Sequence, residues 1–489
     1  MRFSRTIFIL AGVLFCLPVF SAAESFLPVG SREYEFIYDA IRRHEIQSGF
    51  EQYNFNIAPY NPANARINYS PPHFADTVGP EKIKAFAFLS EDFKSARYSN
   101  EKGYESIRGG ITGSPLARFS FYMNFLVDER LAEDPNYTGK KWHGLGGELE
   151  NAVISYSDKR FDFLFGRFAA FWGPVDQSLV LSSDAAAMDA FSFRFRWGKL
   201  NFTYQAAKLN SLNKMMDSAS YFENRYFSGH RIDFRILHNL NIGLFETIIF
   251  GGKGRNLELP YLNPLMFYHS AQLNDGVDDN TFLGFDICYY LKNRHKFYAQ
   301  LLLDDYQIEN NSPDDNEPNE IGYLVGLHSV NLFNFVDVKI EYLRIANRTY
   351  NQVLPRNRYE NRGRLIGNAF GPDGDRLSLS VARWFESDKR AALNFAYQRK
   401  GQGKYNDTWD DPWNDIQGEY SEPFPTGIVE KRLTTSFQLT GFYRSMVFLD
   451  ITPGFEFVRN YAHTESDNRT IPFISMRLSL ILSGLLHII

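Results

Sequence analysis

The stretch ARFSFYMNFLVD, residues 117–128, sets unlike side chains on alternate positions. Ala117, Phe119, Phe121, Met123, Phe125 and Val127 form one set; Arg118, Ser120, Tyr122, Asn124, Leu126 and Asp128 form the other. A repeat of two is the period of a β-strand, whose successive side chains point to opposite faces. This strand therefore needs an apolar medium on one side and a polar one on the other. In a soluble sandwich the apolar side meets another sheet. In a membrane barrel it meets lipid, and the polar side lines a lumen.

The pattern recurs along the chain. Phe161, Phe163 and Phe165 alternate with Arg160 and Asp162, and Phe191, Phe193, Phe195 and Trp197 with Ser192, Arg194 and Arg196. Val336, Val338, Ile340 and Tyr342 alternate with Asp337, Lys339 and Glu341. Leu393, Phe395 and Tyr397 follow the same rule, as do Leu433, Thr435, Phe437, Leu439 and Tyr443. Alternation alone fits either architecture, so the connections decide. Short turns fall near 198–199, 238–241, 292–295, 331–335, 387–389 and 444–445. Between them lie long polar stretches, near 130–145, 170–189, 210–226, 251–281, 306–320, 345–375, 401–432 and 458–470. Regular alternation of short and long is the rhythm of an outer-membrane barrel, with short periplasmic turns and long outer loops. Parity gives about 16 strands from Ala117 onward, and a further pair before residue 114 brings the number to about 18. The predicted fold class is all-β: a transmembrane antiparallel barrel of about 18 strands, with 16 as the alternative, and a small N-terminal helical periplasmic segment.

The N-terminus reads as a leader. Arg2 and Arg5 precede an apolar run from Thr6 to Phe20, and Ser21-Ala22-Ala23 supplies small residues for cleavage after Ala23. The expected division is 1–23 signal peptide, 24–84 helical and irregular segment, 85–489 barrel. In the middle part Ser31 is placed to cap a helix carrying Tyr34, Ile37, Tyr38 and Ile41, with Gly49 to end it. Pro59, Pro62, Pro71, Pro72 and Pro80 break up the stretch beyond the helix. This segment is read as a short domain, or as a cap or plug at the periplasmic mouth.

Composition narrows the function classes. Loss of Arg2 and Arg5 takes the formal net charge from −5 to about −7, the wrong sign for a nucleic-acid binder. Cys288 is the single cysteine after the leader, so neither an internal disulfide nor a cysteine metal site is expected. The 45 Phe and 28 Tyr suit lipid-facing girdles. No apolar run of 18 residues follows the leader, so a membrane span here has to be made of strands.

Motifs for hydrolases, zinc proteases, P-loops and dinucleotide folds are missing. Ser228-Gly229-His230 is a fragment from which a lipid hydrolase could draw a Ser–His pair, and more often such a fragment is a polar strand entrance. KYNDTWDDPWNDIQGEY, 404–420, mixes flat aromatic faces with acids and amides. That pairing suits sugars, which present C–H faces and hydroxyl edges, and equally suits a loop packed on a barrel rim. The acidic stretch 304–320 offers oxygen ligands but no calcium-loop spacing, and reads as a solvated loop. Arg118, Arg194 and Arg196 can meet anionic groups or hold a polar lumen together by ion pairs.

At residues 165–189 the chain reads FGRFAAFWGPVDQSLVLSSDAAAMD, which resembles the capsule-assembly Wzi family. LPVGSREYEFIYDAI (27–41), SGHRIDFRI (228–236), YLNPLMFYH (261–269), DDNTFLGFDICYYL (278–291), YAQLLLDD (298–305) and RGRLIGNAFGPDGD (362–375) resemble it in the same order. Two departures stand out: Asp184-Ala185-Ala186-Ala187 where family members often carry Asn-Ala-Pro-Pro, and SGLLHII without a terminal Phe. The resemblance implies an outer-membrane barrel of about 18 strands that binds exported capsular or related polysaccharide without catalysis. The expected partners are that polymer and outer-membrane lipid; no cofactor or metal is expected. A sugar or oligosaccharide diffusion porin is the alternative. The matched stretches nominate Trp172, Asp184 and Asn263 as polymer contacts; loop composition nominates Arg255, Tyr405, Trp409 and Trp413.

Overall fold

The computed structural model describes residues 26–49, 56–59, 83–96, 102–116, 118–135, 137, 139–216, 219–306, 316–386, 388–416, 420–443 and 446–486. The leader, most of 50–82 and the last three residues lie outside them.

Eighteen strands form the wall. They are β1 (Ile83–Ala96), β2 (Lys102–Leu116), β3 (Phe119–Asp128), β4 (Leu145–Ser157), β5 (Phe161–Phe168) and β6 (Met188–Trp197). Next come β7 (Leu200–Lys208), β8 (Ala219–Leu237), β9 (Leu240–Lys253), β10 (Asn280–Leu291), β11 (His295–Asp305) and β12 (Glu320–Leu332). The last are β13 (Val336–Ile345), β14 (Gly374–Phe385), β15 (Lys389–Lys400), β16 (Glu430–Tyr443), β17 (Val447–Arg459) and β18 (Arg469–Leu486). Each pairs antiparallel with its neighbours in sequence, and β18 closes on β1 from Ile83↔Leu486 to Ala96↔Phe473. Closure leaves no unpaired edge, which is what allows strands to cross a membrane. The short arms Lys141–Trp142 and Leu212–Met216 extend β4 and β8 beyond the wall.

The alternation read from residues 117–128 sorts as expected. Phe119, Met123 and Phe125 point outward and are exposed, whereas Ser120, Tyr122, Asn124 and Asp128 face the interior and are buried. Phe161, Phe163, Phe165, Phe191 and Phe193 form an outward aromatic patch across β5 and β6. The polar set is spent on interior pairs. Arg194 and Arg196 both face Asp162, so these two arginines hold the lumen wall together. Arg231, with no exposure, forks onto Asp233 and Asp286. Its guanidinium fills the space that a side chain at Gly243 would need, so a residue with a Cβ there would displace it.

The lumen is occupied. Helix α1, Arg32–Ser48, starts where expected: the Tyr34 amide donates to Ser31 Oγ at 3.4 Å. Such a cap contributes about 1 kcal/mol. Gly49 ends the helix at φ 73°, a conformation glycine adopts without strain. Tyr34, Ile37, Tyr38 and Ile41 are buried as the spacing predicts. Three buried charges on α1, Glu33, Arg42 and Glu45, were not legible from that spacing, and Arg42 donates to Asp176 at 2.6 Å. Glu33 meets Arg477 of β18 at 2.7 Å, and Glu45 meets Lys296 of β11 at 3.1 Å. Beside the helix, the 169–187 connection folds inward, where Phe171–Trp172 pairs with Ile57–Ala58. The 346–373 connection packs on it: Tyr350 and Tyr359 donate to the carbonyls of Leu179 and Val180, each at 2.7 Å.

Candidate functional site

A cavity of about 1140 Å³ lies in the lumen between the first turn of α1, the inward 183–187 segment, the inner faces of β2 to β4 and residues 360–364. Its volume slightly exceeds the roughly 300–1,000 Å³ of small-molecule pockets. It is on the side of the long connections, because 183–187, 209–211 and 360–364 all belong to them. Most of its charges are paired. Arg108 donates to both oxygens of Glu150, at 2.6 and 2.9 Å, and Asn124 adds a bond of 2.5 Å to the same carboxylate. Arg362 donates to Glu148 at 3.0 Å. Bidentate arginine–carboxylate pairs fix position as well as charge.

Two carboxyls differ from the rest. Asp184 has a buried oxygen, Oδ2, without a partner among the described residues. Burial and the neighbouring Asp176 push its pKa up. Glu35 is exposed to luminal space inside the barrel. Burial first, then Asp184, Asp39 and Asp176, raise it to about 7. At neutral pH this carboxyl is divided between donor and acceptor forms. Two smaller cavities, about 230 and 310 Å³, also reach Glu35 and Asp39 on the far side of α1. The arrangement can hold a hydroxyl-rich ligand, since guanidinium groups donate and carboxylates accept along one polar wall.

The nominated residues do not converge. Asp184 lines this cavity. Trp172 is only 1% exposed, because its ring is enclosed by the inward loop and by the wall near Gly229. Its flat face is used in packing in this structure. Trp413, 3% exposed, lies under the Arg348 guanidinium, 4.9 Å from its ring centroid. Arg348 also holds Asp410 and Glu422, so the 401–416 loop is pinned to the rim. Tyr405 is half-buried and donates to the Gly363 carbonyl at 3.0 Å. Trp409 stands edge-on to Trp413 and keeps part of its face free. The rim-packing account therefore holds for two of these three loop aromatics. Arg255 and Asn263 lie in another place, on the 254–279 connection. Arg255 spends both edges of its fork on Glu258 and Asp279, at 2.6 to 2.9 Å. Asn263 is exposed and accepts from the Leu265 amide.

Sequence reasoning missed Glu35, Arg108, Glu148 and Glu150. Glu35 looked like an ordinary first-turn acid. Glu148 and Glu150 escape a strict alternation because the register shifts between Asn124 and Phe125. The Ser228–His230 fragment forms no nucleophile–base pair. Ser228 Oγ and His230 Nδ1 both lack a hydrogen-bond partner among the described residues, and His230 Nε2 lies 3.3 Å from Glu246 instead.

A family model described as capsule assembly protein Wzi matches residues 95–471. Among solved structures, the chain is similar to an Escherichia coli protein described as Wzi, an outer-membrane protein involved in group 1 capsule assembly and a carbohydrate-binding β-barrel. Identity is 15%, coverage 93% of this chain and 99% of that one, and the TM-score 0.58. At that identity the likeness is one of fold. Acinetobacter baumannii OccAB4 and Pseudomonas aeruginosa opdK each share 8% identity over 83% of this chain and 99% of theirs, with TM-scores of 0.45. No curated protein matches the sequence.

Proposed function

This chain belongs to the Wzi family of capsule assembly proteins, and from that premise we propose that it binds exported capsular or related polysaccharide and helps it assemble at the cell surface, without catalysis. It is an outer-membrane β-barrel, closed and apolar on its outer face. The observation that carries the reading is the 1140 Å³ cavity on the long-loop side, with Asp184 Oδ2 unpartnered among the described residues and Glu35 able to donate or accept. A polymer's hydroxyls would satisfy these groups, and the exposed part of Trp409 would offer a stacking face at the rim. Many such weak contacts along a repeating chain add through multivalency. In this reading the long loops face the cell exterior, residues 1–23 are removed, and the described part of 26–59 belongs to the luminal and periplasmic segment.

The alternative, a diffusion porin, has α1 against it, because the helix and the inward loop fill much of the lumen. The test is retention of the host's own surface polysaccharide by detergent-folded protein. Retention is expected, with at least a tenfold loss for Asp184→Ala combined with Arg362→Ala, a smaller loss for Trp409→Ala and none for Arg255→Ala. Absence of retention by folded protein, together with steady conductance in a planar bilayer, would move the assignment to the porin.

A further inference from the structure

The 254–279 connection follows β9 but does not stand above the barrel. Inward residues of β9 are Asn241, Phe245, Thr247 and Ile249, so Leu244, Glu246, Ile248 and Phe250 point to the outside. Leu244 is exposed like the rest of the lipid-facing surface. Glu246, Ile248 and Phe250 are buried, which requires cover on the outer face of the wall. The cover is this connection. Tyr261 packs on Phe250, with ring centroids 4.6 Å apart, and Tyr268 on the outward ring of His230, at 4.7 Å. Tyr204 of β7, also outward, donates to the Tyr261 carbonyl.

One carboxylate holds the fold-back in place. Glu246 accepts the amides of Tyr268 and His269, at 2.9 and 2.8 Å, where the helix Tyr268–Asp275 begins. A bare carboxylate on a lipid-facing strand would be costly, and these bonds and the aromatic cover remove that cost. Arg255 ties the two ends of the connection together by bridging Glu258 and Asp279. The stretches SGHRIDFRI and YLNPLMFYH, far apart in sequence, meet at this point.

Height fixes the medium outside the cover. Glu246 is six residues beyond Leu240, and a tilted strand climbs about 2.5 Å per residue along the barrel axis. Glu246 thus lies about 15 Å above the short-turn end, inside an apolar band about 25 Å tall. The outer side of the cover carries Leu257, Leu259, Leu265, Phe267 and Leu273, with Leu259 and Leu265 exposed by 81% and 85%. Just below it, the paired residues Leu244 and Phe285 are exposed on the lipid-facing surface of the wall.

We propose that the 254–279 connection is a membrane-inserted flange: it folds down outside the wall over Glu246 and presents these five apolar side chains to acyl chains of the outer leaflet. Continuity with the barrel's lipid-facing band selects lipid as the occupant. The test uses the full mature chain reconstituted in dioleoylphosphatidylcholine vesicles. Nitroxide labels are placed at Leu259→Cys and Leu265→Cys, with Leu244→Cys as the lipid reference and Thr408→Cys as the water reference. Labelled wild type serves as the blank, because Cys288 is fully buried. Heat-modified gel mobility confirms that each variant is folded. Both flange sites are expected to favour oxygen over a water-soluble nickel chelate, with a ratio at least fivefold above site 408 and close to that of site 244. A ratio equal to that of site 408 would overturn the proposal, and so would shielding from both reagents, which would mark a protein contact.

Discussion

Two segments lie against the same wall from opposite sides and are held by different mixtures of charge and packing. Inside, α1 is fixed by buried charge: Glu33 sits between Arg477 and Arg108, and Glu45 meets Lys296. Outside, 254–279 is fixed by rings, with Tyr226, Phe250, Tyr261 and Tyr268 packed around a single carboxylate, Glu246. The wall explains the contrast. Its inner face carries most of the polar residues of the alternating strands, so an inner partner must answer charge as well as pack, as Phe36 does on Trp384, Phe442 and Phe448. Its outer face is apolar, so an outer partner brings apolar surface and keeps its charges in compact pairs, as Arg255 does with Glu258 and Asp279. In both cases the buried ion has several partners, which is the condition for keeping it.

The largest effect is expected on the inner side. Burial alone would raise the Glu33 pKa, but the Arg477 and Arg108 charges overrule it and hold the carboxyl down to about 2. Its contribution is therefore present above pH 4.5 and lost as pH falls toward 2. Glu33→Ala leaves buried guanidinium groups short of a partner and should cost about 3 kcal/mol in a urea titration of folded protein at pH 7. An unchanged midpoint would mean that charge does not hold the helix. The next effect is local and on the outer side. Glu246→Ala unpairs two helix-terminal amides and should cost about 2 kcal/mol. Limited proteolysis should then cut within 254–279 while the wall stays intact; uniform loss of the whole barrel would erase the distinction between the two sides.

The smallest effect concerns Glu35, the carboxyl on α1 for which burial and acidic neighbours outweigh the Arg32 charge. Its raised pKa means that ionising it costs stability as pH rises from about 4.5 toward 7. Glu35→Gln should therefore stabilise the protein at pH 8 by about 1 kcal/mol, after discounting for luminal water, and change nothing at pH 4. An equal gain at both pH values would assign the effect to packing rather than to titration.

Much of the wall was legible because strand alternation is a local property. Phe119, Met123 and Phe125 had to share a face, and the short-long rhythm of connections pointed to about eighteen strands, with sixteen as the alternative. Ser31, the Tyr34–Ile41 stripe and Gly49 likewise announced α1 from neighbours a few residues apart. Tertiary structure decided everything that depended on distant partners. Glu33 became a buried ion only because Arg477, 444 residues away, faces it across the lumen. Trp172 and Trp413 have the composition of contact residues, yet their flat faces were taken by the fold itself. Arg255 has the charge to meet a ligand, but Glu258 and Asp279 occupy it. Composition sets what a side chain can do; which partner reaches it first is settled by the closed wall, which brings residues hundreds apart in sequence to opposite sides of one lumen.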